Sequence, residues 1–359
     1  MSKGMRKGLT SYGDPGFSLF LRRAFIKAMG FSDDALERPI IGITDTFSDY
    51  NPCHGNVPQL IEAVKRGVML AGGLPMAFPT ISIHESFSNP TSMFLRNLMA
   101  MDTEEMIRAQ PMDAVVLISG CDKTVPAQLM AAASADVPTI LLITGPMLVG
   151  HHKGEELGAC TDCRRLWAMH RAGQMDEAEI DVVSGRLAPT NGTCMVMGTA
   201  STMACVSEAL GITLPGTGSI PATHADRLRA AEASGARAVA MAKSGGPKPS
   251  EILTKKAFDN ALTVLQAIGG STNGLVHLSA LAGRLGIEID FDAFDQLGRT
   301  VPTLIDLKPS GAHYMEHFHW AGGVPKLLKE LGDLIDGSAL TVTGEPLSAA
   351  IAKAEDVPN

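Results

Sequence analysis

The 359-residue sequence predicts an α/β fold, a parallel sheet flanked by helices, followed by a helix-rich second half. Three observations predict it. Short, continuous apolar runs alternate with segments of helical periodicity through the first 150 residues, as expected for strands covered on both faces. Loops rich in Gly, Pro and Asn follow most of those runs. From about residue 165 the apolar spacing becomes i, i+3/i+4 almost throughout.

In chain order, "RPIIGITD" (38–45) reads as a strand and "VPQLIEAVKRGVMLAGG" (57–73) as an amphipathic helix stopped by Gly-Gly. "PMAFPTIS" (75–82) reads as a second strand. "TEEMIRAQ" (103–110) reads as a helix opening at a Thr103 cap with acidic residues in its first turn. "DAVVLIS" (113–119), "PAQLMAAASA" (126–135) and "PTILLIT" (138–144) complete the alternation as strand, helix and strand. The later segments 199–211, 225–245, 249–270 and 271–286 read as helices. With no repeat or linker between them, 1–150 is expected as the sheet part and 151–359 as the mainly helical part of one unit.

Composition excludes several classes. The chain is 45% hydrophobic, enough for a packed core. A formal net charge of −8, without any basic run, argues against nucleic acid as a partner. Its longest apolar stretches, "VVLIS" and "TILLIT", fall far short of the ~20 residues that span a bilayer, so no membrane role is expected. The N-terminus lacks the apolar region of a secretory signal, and a cytoplasmic location is expected.

In a reducing compartment, six cysteines in so long a chain point away from a disulfide scaffold and toward metal or catalysis. Cys205 lies on an apolar helical stripe and reads as core. Cys53 ("NPCHGN"), Cys121 ("SGCDK") and Cys194 ("NGTCMV") lie in loops, 68 and 73 residues apart. Each read alone is a small buried hydrophobe. A parallel sheet, however, brings strand-end loops to one rim, where ligands collect. Three thiolates there would suit an iron–sulfur cluster with one iron left open as a Lewis acid. Cys160 and Cys163 form "CTDC", which alone is half a zinc site, a redox pair or incidental, and an accessory or structural use is favoured.

Glu85 ("HESFS") and Asp122 read either as a solvated carboxylate and one half of an Asp122–Lys123 ion pair, or as hard oxygen ligands for Mg²⁺. A lysine held there with a depressed pKa could take up CO₂ and become an anionic ligand. His313, His317 and His319 lack the spacing of a zinc protease and read as structural or supporting. "GGSTNG" (269–274) matches no nucleotide-binding motif, though the helix it opens offers an N-terminus to an anion.

Together the blocks "RPIIGITDTFSDYNPCHGN", "AGGLPMAFPTIS", "SGCDKTVPAQLMAAA", "LITGPMLVG", "GTCMVMGTASTMA", "AIGGSTNGLVHLSALAGRLGI" and "MEHFHWAGGVPKLLKELG" resemble the dihydroxy-acid, phosphogluconate and sugar-acid dehydratase (IlvD/Edd) family. They run in family order over nearly the whole chain. The resemblance implies cluster thiolates at Cys53, Cys121 and Cys194, a 2Fe-2S cluster being favoured over 4Fe-4S. It implies Mg²⁺ ligands at Glu85, Asp122 and a carbamylated Lys123, which would be the catalytic lysine. It implies loss of water from a 2,3-dihydroxy acid to give a 2-keto acid, and a homo-oligomer, dimer or tetramer. Family members continue into a β-rich C-terminal domain that supplies a serine base and a further acidic ligand. The sequence stops at "AIAKAEDVPN", so it is expected to be the N-terminal, metal-carrying part. "NPCHGNVPQL", "HESFS" and "CTDCRRLW" look closer to the sugar-acid branch, with arabinonate or xylonate as substrate. The rival readings are the branched-chain dihydroxy-acid dehydratase, an inactive cluster-binding fragment, and a thiol-redox or zinc protein built on Cys160 and Cys163.

Overall fold

The computed structural model describes residues 3–9 and 11–357. Helices α1 (Pro15–Ala28) and α2 (Asp33–Leu36) precede the sheet, the first capped by the Asp14 carboxylate accepting from Gly16 and Phe17 N–H. Strand β1 (Ile40–Asp45), helix α3 (Val57–Leu70), strand β2 (Leu74–Pro79), helix α4 (Ser92–Ala109), strand β3 (Ala114–Ser119), helix α5 (Thr124–Ala135) and strand β4 (Thr139–Ile143) then alternate as expected.

The four strands form one parallel sheet in the order β2-β1-β3-β4. Every residue of β3 and β4 is buried, which explains their unbroken apolar sequences. The chain leaves β1 toward β2 on one side and returns as β3 on the other. The carboxyl ends of β1 and β3 therefore flank a topological switch point. Regular pairing of β1 with β3 stops at Ile43 opposite Val116. Beyond it, Thr44 Oγ1 accepts from Ile118 N–H at 2.8 Å and Thr46 Oγ1 donates to Ile118 O at 2.9 Å. Side chains thus replace the ladder where the two strands part.

The second half begins with a small antiparallel ribbon, β5 (Gly150–His152) and β6 (Glu155–Leu157). Helices α6 (Asp162–Arg171), α7 (Glu177–Leu187), α8 (Thr199–Ala209), α9 (Ala225–Ser244), α10 (Pro249–Ile252), α11 (Lys255–Ala267), α12 (Thr272–Arg284), α13 (Phe291–Leu297), α14 (Met315–Trp320), α15 (Gly323–Leu331) and α16 (Leu347–Ile351) follow. A single main core joins β1, β3 and β4 to α3, α5, α8, α9, α11 and α12. Leu141 in β4 also takes a backbone bond from the second half, donating to Ile212 O at 2.9 Å.

Two element boundaries differ from the sequence reading. Thr103 caps nothing: α4 begins at Ser92 behind a Thr91 cap, and Thr103 Oγ1 donates back to Met99 O inside the helix. The apolar pattern of 92–102 extends the helix upstream of the acidic pair that suggested a start. The stretch 249–270 is two helices, because Leu253 leaves helical angles and Thr254 is extended. That break lets both Ile252 and Leu253 enter the core.

Candidate metal centre

The rim at the switch point is assembled from four loops. The β1–α3 loop carries Asn51, Cys53 and His54; the β2–α4 loop carries Glu85; the β3–α5 turn carries Cys121, Asp122 and Lys123. Cys194 arrives differently, from the loop ahead of α8. Thr193 N–H donates to Gly145 O at 2.9 Å and Met147 N–H to Thr193 O at 2.8 Å, pinning that loop alongside the end of β4. Gly145 has φ +95, and a Cβ there would lie 2.5 Å from Ile220 O, so the crossing requires glycine. Gly120 is equally constrained, since a Cβ would lie 1.7 Å from Thr144 Oγ1.

His54 organises the centre. Its Nδ1–H donates to Thr46 O at 2.9 Å, and its Nε2 accepts from the N–H groups of Gly120 and Cys121, each at 3.1 Å. Burial lowers its pKa to about 4, against the Thr46 bond, so the ring is neutral and its tautomer is fixed by these partners. Thr144 Oγ1 donates to Cys53 O at 2.9 Å, and Asn56 Nδ2 donates to Thr144 O and Ala222 O at 2.9 and 3.1 Å. The loops bearing Cys53, Cys121 and Cys194 are therefore cross-tied through backbone groups rather than through their thiols.

The thiols sort into two contacts. Cys53 and Cys121 are buried and face each other, a contact that, with burial, drives the Cys53 pKa well above its ordinary value. Cys194 Sγ lies 2.7 Å from Cys160 Sγ. That bond from Cys194 holds the more exposed Cys160 down, to about 7, while the same bond and burial push Cys194 up. Cys53, Cys121 and Cys194 do not all lie within 4.8 Å of one another. The sulfurs are arranged as two pairs, both feeling the Asp122 carboxylate.

On the other side of the turn, Lys123 Nζ donates to Asp122 Oδ2 at 2.5 Å, with the lysine side chain only 5% exposed. Asp122 Oδ1 accepts from Cys121 Sγ–H at 3.4 Å. Glu85 touches neither. Its carboxylate accepts from Thr91 Oγ1 at 2.9 Å, from Ser92 N–H at 3.0 Å and from Ser92 Oγ. Burial works against the charged form, but these bonds and the nearby Lys123 hold its pKa below the ordinary value. Among buried oxygens without a partner within the chain, Asn51 Oδ1 and Asn191 Oδ1 lie on the loops that carry Cys53 and Cys194, and Thr124 Oγ1 lies at the start of α5.

All six sequence-predicted site residues thus fall on loops of the same rim, with Cys121, Asp122 and Lys123 contiguous, Cys53 opposite Cys121, and Glu85 set apart. The family model for the dihydroxy-acid/6-phosphogluconate dehydratase N-terminal region matches residues 38–350. The chain belongs to that family. Among its relatives, the L-arabinonate dehydratase of Rhizobium leguminosarum bv. trifolii is 47% identical over 93% of this chain and 58% of its own length. The L-arabonate dehydratase of Azospirillum brasilense is 46% identical, over 91% of the chain and 57% of its own length. A dihydroxy-acid dehydratase of Moorella thermoacetica is 40% identical, over 91% and 60%. The chain spans about three fifths of the length of these family members.

Residues outside the sequence reading also contribute. His54 carried a signal, being next to Cys53; Thr144 and Asn56 carried none, because their partners are set by tertiary crossings. The histidine-rich segment divides: His313 and His317 pack ring to ring, whereas His319 sits near His224 and Asp226, where one ligand atom from each lies within 4.8 Å of the others. Asp226 there is shared with Arg229. Ser271 caps α12 by accepting from Asn273 N–H, using a donor that an anion would need. No helix among the described residues is long and apolar enough to cross a membrane.

Proposed function

We propose that this chain carries the metal-holding part of a sugar-acid dehydratase, a hydro-lyase that converts a 2,3-dihydroxy aldonate such as arabinonate to the 2-keto-3-deoxy acid. The observation that carries this reading is the Gly120–Lys123 turn. It offers a thiol toward Cys53 and a carboxylate and lysine on its other flank, at the switch point of a sheet of this family. The relatives named as arabinonate dehydratases, at 46–47% identity, favour the sugar-acid class over that of the relative named dihydroxy-acid dehydratase, which is 40% identical.

The residues fit the groups the family implies. Buried thiols in contact suit an iron–sulfur cluster, which cysteine thiolates hold, and the family resemblance favours the 2Fe-2S form. Cys53, Cys121 and Cys194 would hold it. Glu85, Asp122 and a carbamylated Lys123 would hold Mg²⁺ through hard oxygen atoms. When bound, the open iron supplies a Lewis acid for the departing hydroxyl and Mg²⁺ a clamp for the carboxylate end. The protein's own work is positional. His54 fixes the Cys121 turn, and Thr144 and Asn56 fix the Cys53 loop.

Anaerobic purification tests the reading. The expected product is a coloured protein with iron and sulfide in near-equal amounts, lost in Cys53→Ser, Cys121→Ser and Cys194→Ser. A colourless protein holding zinc through Cys160 sinks the cluster assignment. Turnover of L-arabinonate against a branched 2,3-dihydroxy acid, in the full-length protein, decides the substrate class.

A further inference from the structure

Cys160 stands 2.7 Å from Cys194, across 34 residues of chain, and its own CxxC partner is elsewhere. Cys163 lines a separate hollow with Trp167, His170, Ile180 and Leu187. The segment that presents Cys160 is firmly built. Asp162, only 4% exposed in its side chain, accepts from Gly158 N–H at 2.8 Å, from Tyr314 Oη–H at 3.2 Å and from Lys308 Nζ at 3.2 Å. Asp162 N–H returns to Gly158 O at 3.0 Å, and Ala159 N–H reaches the Met195 sulfur, next to Cys194, at 3.1 Å. Between these anchors Cys160 adopts φ +74, a left-handed backbone that costs a non-glycine residue and persists only where its surroundings impose it. Cys160 is exposed, and Cys194 is half-buried behind it.

We propose that Cys160 is a resolving thiol for Cys194. In the cluster-free chain the pair closes to a reversible disulfide, which withdraws Cys194 from metal and shields it from irreversible oxidation. The co-reactant is a small-molecule disulfide. The Cys160 thiolate attacks one of its sulfurs, that S–S bond breaks, and one small thiol leaves. The Cys194 sulfur then attacks Cys160 Sγ, forming the protein disulfide and releasing the second small thiol. The two protons of the cysteines end on the two released thiols, and the oxidant is reduced by two electrons. A reductant reverses both steps. Without a resolving partner, Cys194 would be left to the mixed disulfide or, with peroxide, to the sulfinic and sulfonic acids.

The consequence for iron rests on the cluster reading above; the cross-link itself does not. The full 359-residue chain, cluster removed under anaerobic conditions, is treated with oxidised glutathione, alkylated, digested and mapped by mass spectrometry. The expected result is a Cys160–Cys194 cross-link in the parent and in Cys163→Ser, and none in Cys160→Ser, whose Cys194 carries glutathione instead. Iron and sulfide uptake is lost in the oxidised parent and returns with dithiothreitol. A Cys160–Cys163 or Cys53–Cys121 cross-link in place of the expected one overturns the proposal. Failure of reduced Cys160→Ser to take up iron overturns it too, because Cys160 is then a cluster ligand. If the reduced parent takes up no iron while the cross-link forms, the cluster reading fails and the thiol pair stands.

Discussion

His54 Nε2 accepts the N–H of Cys121 at 3.1 Å, so the residue after one candidate cluster thiol fixes the backbone of the next. The same nitrogen takes Gly120 N–H, and the opposite nitrogen reaches Thr46 O, all of it buried. His54→Ala leaves two donors and one acceptor without partners. At roughly 1–3 kcal/mol per orphaned buried group, partly relieved by entering water, a loss of about 3 kcal/mol is expected. Chemical denaturation at pH 7 measures it, and iron bound per chain is expected to fall with it. A variant within about 0.5 kcal/mol of the parent would show that the ring is not holding the turn.

Lys123 supplies the second prediction. As an ammonium, its buried Nζ neutralises Asp122 and stands where a cation is proposed to bind. Carbamylation replaces that positive charge with an anionic oxygen ligand. Mg²⁺ binding, measured by calorimetry at fixed pH, is therefore expected to tighten with added bicarbonate by about tenfold, or 1.4 kcal/mol. Lys123→Gln removes the bicarbonate dependence. Equal Mg²⁺ affinity with and without bicarbonate in the parent would remove the carbamate from the ligand set.

What was legible in the sequence follows from what is local. Cys121 sits directly behind β3 and Cys53 in the loop that follows β1, so a parallel sheet brings both to one rim. Cys194 read correctly as a loop residue, but its route to the rim depends on Gly145 and Thr193, a crossing between distant segments that no periodicity encodes. The Cys160–Cys194 contact was illegible for the same reason, and the CxxC spacing pointed to Cys163 instead. Among the helices, Thr103 mimicked a cap because it precedes two glutamates, whereas the true boundary at Thr91 follows a proline-containing loop.

A third prediction concerns stability and pH. Glu208 is buried on α8, accepting from Gly216 N–H at 2.6 Å and Gly218 N–H at 2.8 Å. Burial raises its pKa from 4.5 to about 7, in spite of those bonds and of Arg227. Between those values the folded chain keeps a proton on Glu208 that the unfolded chain has released, so the contribution of Glu208 to stability falls as pH rises from 4.5 to 7 and levels off above. At 1.36 kcal/mol per pH unit, this group contributes a decline of about 3 kcal/mol. The charged and titratable neighbours stay out of the window, Arg227 lying at about 9 and Cys205 being pushed upward by burial. Denaturant midpoints measured at several pH values in parent and Glu208→Gln test it. Parallel curves across pH 5–7 would mean that Glu208 does not titrate there.

Asp162 is the fourth test, because it separates the thiol pair from the loop that carries it. Its carboxylate gathers Gly158 N–H, Lys308, Tyr314 and Arg165, two of them partly exposed cations. Asp162→Asn turns one acceptor oxygen into a donor facing other donors and leaves Lys308 without its counter-charge. Discounting for the exposure of Lys308 and Arg165, a loss of about 2 kcal/mol is expected. Cys160 remains at the surface in this variant, so its alkylation by iodoacetamide should persist. Its φ of +74 is no longer imposed, and the loop relaxes away from Cys194. The Cys160–Cys194 cross-link should then form about tenfold more slowly under the same oxidant, since ring closure depends on approach as well as on thiolate. A cross-linking rate equal to the parent's, in a variant that has lost the stability, would mean that the Asp162 network supports the fold without aiming the thiol.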